Sequence, residues 1–318
     1  MATAAAKKKI VVCGGNGFLG AHDFQALQSM VVGPFKQLTS SRLQARGYVN
    51  QLLLEVGKSL PLESRSGEPS WSAVTASPDP PPWSKSVSWE KADILKPASY
   101  QPLLKGADAV VHSMGILIEA DYKGVLQGKE SVFSGLKRAF SATKGGSQNP
   151  LERKPGESLE PQEKDGQLTY ELMNRDSAIT LAQESAGQNV PAFLYISAAA
   201  GAPVLPARYI TTKREAESTI ASSLPRMRSI FVRPAFLYDS SRTFTLPIAA
   251  AGSVAAAVNS VSGGRLTWLM GAGGIKPLKA DLVGEAVVEA LSDESVKGPV
   301  ETKEIEELAN RAWRRGML

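Results

Sequence analysis

Cysteine occurs once in this chain, at Cys13. A single thiol excludes an internal disulfide framework and fits a reducing compartment. Histidine occurs twice, at His22 and His112, with no ligand spacing around either, so metal chemistry has no basis. Aromatic residues make up 7% of the chain and are not interleaved with clustered lysine or arginine. The basic balance, net charge +5 and pI near 9.2, is spread among acids, which argues against nucleic-acid binding. It suits a phosphate-bearing cofactor or an anionic membrane face instead. No long apolar run is clean: the longest uncharged segment, 243–264, is interrupted by Pro247, Asn259 and several Gly and Ser. That segment is expected to be a buried Ala-rich helix rather than a membrane span, with a segment lying on a membrane surface as the alternative. The opening MATAAAKKK has no secretory h-region and is short for a transit peptide.

What is present is ordinary globular composition, 43% hydrophobic and 21% charged, with one arresting stretch at its head. In KKIVVCGGNGFLG an apolar β-rich run, 10–13, meets Gly14, Gly17 and Gly20. This pattern predicts a strand, a tight turn and a helix start. Gly14 permits the turn, Gly17 a close approach to a pyrophosphate, and Gly20 the packing of helix on strand. The phosphates then sit on free N–H groups at a helix N-terminus. A glycine-rich turn of any α/β protein is the plainer reading.

Farther along, helix-period and strand-period segments alternate. Strands are expected at 87–94, 107–117, 192–197 and 229–232, and helices around Leu103 and Leu104, at 168–188 and at 209–222. Such alternation implies right-handed crossovers and a doubly wound parallel α/β sheet. Residues 1–240 are expected to form the dinucleotide-binding domain and 241–318 a small C-terminal lobe packed on it. The connection 119–166 reads as disordered in part, or as a lid.

The second strand of a dinucleotide fold ends about 20 residues past the glycines, where the ribose is read. Here the best candidate for that point is SRSG, with Arg65, leaving about two dozen surplus residues. Segment 21–62 is therefore a surface insertion or a gene-model error such as a retained intron, since its apolar pattern around 51–60 makes a poor strand. Arg65 at that strand end suits a 2′-phosphate and so NADP(H) rather than NAD; a solvated loop arginine is the alternative. Asp93, at the end of the 87–94 strand, stands where an adenine-side contact would lie. Ser113 and Gly115 follow the 107–117 strand, where Gly115 either admits the cofactor or simply ends the strand.

Tyr209 and Lys213 make Y-x-x-x-K, which puts both on one helix face. An ammonium beside a phenol is expected to lower the tyrosine pKa toward the working range of a general acid–base. Ser197, upstream at a strand end, could hold a substrate oxygen.

In this order the pieces resemble the short-chain dehydrogenase/reductase superfamily, a Rossmann-fold group, and VVCGGNGFLG is similar to its extended and atypical branches. The resemblance implies a catalytic set of Ser197, Tyr209 and Lys213, with Gly14, Asn16, Gly17, Phe18, Leu19 and Gly20 along the cofactor. Asn174 in YELMNRDSA falls on the helix that supplies an asparagine there, though an ordinary helix-start residue reads nearly as well. VRPAFLYD (232–239) resembles the segment bordering the nicotinamide, making Pro234 and Phe236 cofactor-side candidates. PLKADLVGEAVVEAL (277–291) resembles the C-terminal helix opening, where Asp281 reads as a structural carboxylate.

A narrower likeness rests on GGNGFLG, SRSG, HSMGIL, TYELMNRDSAI, YITTKREAE and VRPAFLYD. Together they resemble the fungal mitochondrial reductase-like proteins of the coenzyme Q biosynthetic complex, related to the NAD(P)H-binding accessory subunit of respiratory complex I. This likeness covers residues 8–20 and 64–295. It implies a peripheral protein on the matrix side of the mitochondrial inner membrane, in a complex with quinone-pathway proteins. Two functions stay open: an NADP-dependent oxidoreductase acting on a polyprenylated, hydrophobic quinone intermediate, or a non-catalytic NADP(H)-binding subunit. A sugar-nucleotide epimerase or dehydratase is the remaining, plainer reading.

Overall fold

The computed structural model describes residues 9–13, 51–54, 79, 88–90, 92–116, 150–154, 156–157, 159, 169–200, 206–238, 245–266 and 271–317. Among them, a seven-stranded sheet runs in the order β3-β2-β1-β4-β5-β6-β9. Its strands are β1 (Ile10–Cys13), β2 (Gln51–Leu54), β3 (Ser88–Trp89), β4 (Ala109–His112), β5 (Ala192–Ile196), β6 (Arg228–Val232) and β9 (Gly298–Val300). Every neighbouring pair is parallel, from Val11 opposite Leu52 at β1–β2 to Val232 opposite Val300 at β6–β9. The first six strands thus have the doubly wound dinucleotide-fold order, whose direction reverses between β1 and β4. A separate parallel pair joins β7 (Leu237–Tyr238) to β8 (Leu278–Lys279).

Parallel strands need both faces covered, and the strand sequences show it: β1, β4 and β5 are buried at every residue. Alternate residues of one strand enter different cores. Val11, Cys13, Phe193 and Tyr195 face α1 (Pro97–Leu104), α2 (Ser177–Gly187) and α3 (Ala207–Ser223) in one cluster. Ile10, Val12, Leu194 and Ile196 face α5 (Ala280–Ser292) and α6 (Thr302–Met317) in the other. On α5, Val283, Ala286, Val287, Ala290 and Leu291 recur at helical spacing, so one stripe meets the sheet.

Four expectations change. The second strand is Gln51–Leu54, inside the segment expected to be surplus, and it pairs with both β1 and β3. Three consecutive leucines lack alternation, but an interior parallel strand does not need it. The 87–94 strand shrinks to Ser88–Trp89, because Asp93 starts a turn: its Oδ1 accepts from Leu95 N–H at 3.0 Å and its N–H donates to Ser99 Oγ at 2.9 Å. The segment after residue 240 is not set apart from the sheet, since β9 extends it beyond β6.

Finally, α4 (Thr245–Val261) is not a buried helix. Val254, Val258 and Val261 are 66%, 50% and 92% exposed, leaving Ala249 and Asn259 among its buried positions. No helix among the described residues is long and apolar enough to cross a membrane. Of the 119–166 connection, the described part is largely exposed but anchored at two points: Leu159 is buried and donates its N–H to Leu95 O at 2.9 Å, and Arg153 pairs with Glu184 at 2.8 Å.

Candidate functional site

The site gathers where the carboxyl ends of β4 and β5 meet α3, beside the reversal of strand order. The glycine turn, Gly14, Asn16, Gly17, Phe18, Leu19 and Gly20, and Arg65 lie outside the described residues. What leads into the turn is described. Cys13 ends β1, and its carbonyl accepts from the N–H of Ser113 at 2.8 Å and from its hydroxyl at 3.0 Å. Ser113 therefore ties the end of β4 to the residue before Gly14.

Beyond Ser113 the chain passes Gly115 in tight surroundings. A Cβ there would lie 2.8 Å from Asn174 Oδ1 and 3.5 Å from Lys213 Nζ. Asn174 is fully buried in a π-helical turn, Glu171–Asp176, that runs into α2. Such turns displace one residue from the regular ladder and frequently mark functional sites. The Asn174 amide pins the neighbouring backbone both ways, accepting from Ile116 N–H at 2.8 Å and donating to Ile116 O at 3.1 Å.

Tyr209 and Lys213 stand one turn apart on α3, as the spacing requires. The Lys213 ammonium, 5.8 Å from the centre of the Tyr209 ring, donates to Tyr195 Oη at 3.3 Å and Ile196 O at 3.2 Å. Tyr195 Oη in turn donates to Asn174 O at 2.6 Å. Lysine, buried tyrosine and the π-turn thus form one hydrogen-bonded chain.

The charges differ from expectation. Burial pulls Lys213 down to about 7, with Glu217 acting upward and Arg214 downward. Burial pushes the Tyr209 phenol up to about 12, with Arg214 acting the other way. The expected lowering of the tyrosine by Lys213 is therefore corrected. The ammonium bonds Tyr195 and a backbone carbonyl rather than the phenol, and desolvation of a would-be phenolate prevails. Tyr209 packs edge-on to Tyr170 at 6.0 Å, and its hydroxyl makes no hydrogen bond to another described residue.

Ser197 continues the sheet, donating its N–H to Val232 O at 2.8 Å. Its hydroxyl accepts from Arg214 Nη1 at 3.1 Å. Pro234, buried after β6, accepts from Ala199 N–H at 2.8 Å, which joins the loops leaving β5 and β6. Two further expected residues have their own bonds. Phe236 accepts from Leu278 N–H at 2.9 Å in the small sheet, and Asp93 is held in its turn before α1.

The sequence reading missed Tyr195, His112, Arg214 and Glu217. His112 is fully buried edge-on to Tyr195 at 5.3 Å, with Nε2 3.2 Å from Ser177 Oγ. Since Ser177 donates its own proton to Met173 O at 2.7 Å, Nε2 carries the imidazole proton. Burial, then the Lys213 cation, hold His112 down at about 3, so the ring is neutral. Arg214 and Glu217 did have a signal, an i,i+3 ion pair on the helix that carries Tyr209.

No protein-family model matches the chain. MIOREX complex component 2 of Saccharomyces cerevisiae is 33% identical over 249 residues, which cover 74% of this chain and 74% of that protein. Solved structures similar to this chain include a dTDP-glucose 4,6-dehydratase of Streptomyces venezuelae with NAD bound, at 14% identity over 96% of this chain and 80% of that one, TM-score 0.48. A UDP-N-acetylglucosamine 4-epimerase of Bacillus cereus follows at 15%, 96% and 82%, TM-score 0.44. Vestitone reductase of alfalfa (Medicago sativa) stands at 13%, 93% and 76%, TM-score 0.46. The fold itself stands on this chain's own strand order and register.

Proposed function

The chain belongs to the family of yeast MIOREX complex component 2, and from that membership and the Tyr209 site we propose that it is a nicotinamide-dinucleotide-binding reductase working inside a multi-protein assembly. The observation that carries the reading is a Tyr209 whose hydroxyl is free of described partners, one turn from a buried lysine, at the carboxyl ends of a 3-2-1-4-5-6 parallel sheet. Open α/β sheets bind ligands at that reversal of strand order.

The residues fit a dinucleotide. The glycine turn of the sequence follows β1 directly, Ser113 and Gly115 follow β4, and the buried Lys213 lies beside Gly115. When bound, the dihydronicotinamide supplies a hydride for a substrate carbon. Tyr209, a phenol protonated at neutral pH and held so more firmly by burial, gives its proton to the substrate oxygen. Ser197 donates to the same oxygen and holds it. Lys213 balances the phenolate left behind. By resemblance the substrate is a polyprenylated quinone intermediate, the cofactor NADP(H), and the setting the matrix face of the mitochondrial inner membrane.

One observation favours the second reading, a cofactor-binding subunit without turnover: the Lys213 ammonium bonds Tyr195 instead of Tyr209. The test joins binding to function. Titration of the protein into NADPH and NADH changes nicotinamide fluorescence, and Tyr209→Phe keeps that binding yet fails to restore quinone levels in a deletion strain. Full restoration by Tyr209→Phe selects the subunit reading. Unchanged fluorescence with both nucleotides refutes both readings.

A further inference from the structure

The guanidinium of Arg214 has every terminal N–H engaged. Nη1 donates to Ser197 Oγ at 3.1 Å and to Glu217 Oε1 at 2.7 Å; Nη2 donates to Ala198 O at 2.7 Å and Ala199 O at 2.9 Å. Three of the four acceptors are consecutive residues of the segment leaving β5. The fourth, Glu217, is buried and fixed from behind by Arg233 at the end of β6, whose Nη1 also reaches Glu301 at 2.6 Å. A cation meant only to hold the strand end would need the two carbonyls alone.

We propose that Arg214 is the positioning residue of this site, occupying a lone pair of the Ser197 hydroxyl so that its proton is turned to donate to a substrate oxygen. A hydroxyl has one proton and two lone pairs, and a charged donor on one lone pair both orients the group and strengthens it as a donor. Ser197 is buried and its hydroxyl donates to no other described group, so among the described residues the proton has no competing acceptor. The same cation acts downward on the Tyr209 phenol, the direction the sequence led one to expect from Lys213. The consequence for turnover rests on the reductase reading; the contact itself does not.

A thiol in place of the hydroxyl reads the contact without substrate or nucleotide. In Ser197→Cys, thiolate formation is followed by ultraviolet absorbance against pH; the native Cys13 is buried, its thiol pushed well up, and stays silent. Among the described residues, the charged or titratable groups of α3 include Arg214, Lys213, Glu217 and Tyr209, with Arg233 behind Glu217, and of these only Arg214 hydrogen-bonds the Ser197 side chain. The thiolate midpoint in Ser197→Cys is expected about 1 unit or more below that of Ser197→Cys/Arg214→Met, with Ser197→Cys/Arg214→Lys between them. Equal midpoints in the folded variants overturn the proposal.

Turnover gives the second measurement. Arg214→Met and Ser197→Ala each lower kcat about tenfold or more, with KM for the nucleotide little changed, and the double variant is no slower than Ser197→Ala. Multiplicative losses in the double variant overturn the positioning role while leaving the reductase reading intact. A wild type without turnover refutes the reductase reading, and the thiol midpoints then judge Arg214 by themselves.

Discussion

Gly115 and His112 show how single residues hold this site together. Gly115 leaves no room for a methyl group, because the nearest atom, Asn174 Oδ1, is engaged with Ile116 and cannot retreat. Gly115→Ala is expected to destabilise the fold by about 1–3 kcal/mol, read from urea unfolding; a variant as stable as wild type would show that the Asn174 clamp gives way freely. His112 makes a pH prediction. Its folded pKa, about 3, is depressed below the ordinary 6.5. The unfolded chain therefore binds the extra proton between those values, and stability present above pH 6.5 is lost as pH falls towards 3. The slope from this residue is at most about 1.4 kcal/mol per pH unit. Asp176, raised to about 6 by burial, acts the opposite way as pH falls through that value. The difference between wild type and His112→Gln isolates the histidine, and it should shrink towards acid; a pH-independent difference rejects the buried neutral ring.

At the scale of elements, two helices of similar apolar composition meet different fates. In α5 the apolar residues repeat so that one stripe enters the core, while the valines of α4 line an exposed side. Val258→Ser should change stability by no more than about 0.5 kcal/mol, whereas Val287→Ser should cost about 2 kcal/mol or more. Similar losses from both, measured by thermal melting, would mean that α4 is covered in solution. Composition alone led to the expectation of a buried α4, because an uncharged run carries no mark of which side faces water. β2 was missed for the converse reason: it lies inside a parallel sheet, between β1 and β3, where a strand need not show the alternation by which strands are recognised.

Across the whole molecule, long-range polar clamps join what the sheet order brings near. Arg228, at the start of β6, donates to Ala290 O and Val296 O at 3.0 Å and to Leu291 O and Asp293 O at 3.1 Å. It thereby caps the carbonyl end of α5, where a cation also meets the negative end of the helix dipole. Arg228→Met should cost about 2 kcal/mol or more, seen as a lower Tm; an unchanged Tm would mean that water replaces the guanidinium without loss.

Much of this was legible along the chain. The strand–helix alternation foretold a parallel doubly wound sheet, β5, β6 and α3 fall within two residues of their expected bounds, and the Tyr209–Lys213 spacing requires only a helix to bring the two onto one face. Those features are local, set by periodicity and by residues a turn apart. The partner of the Lys213 ammonium, the donor on Ser197 and the state of the Tyr209 phenol are not local. They depend on which strand end, which π-turn and which neighbouring cation the fold delivers to the same few ångströms, and on how much water it leaves there. Hydrogen bonds and desolvation act through space rather than along the chain, so these belonged to the tertiary structure to settle.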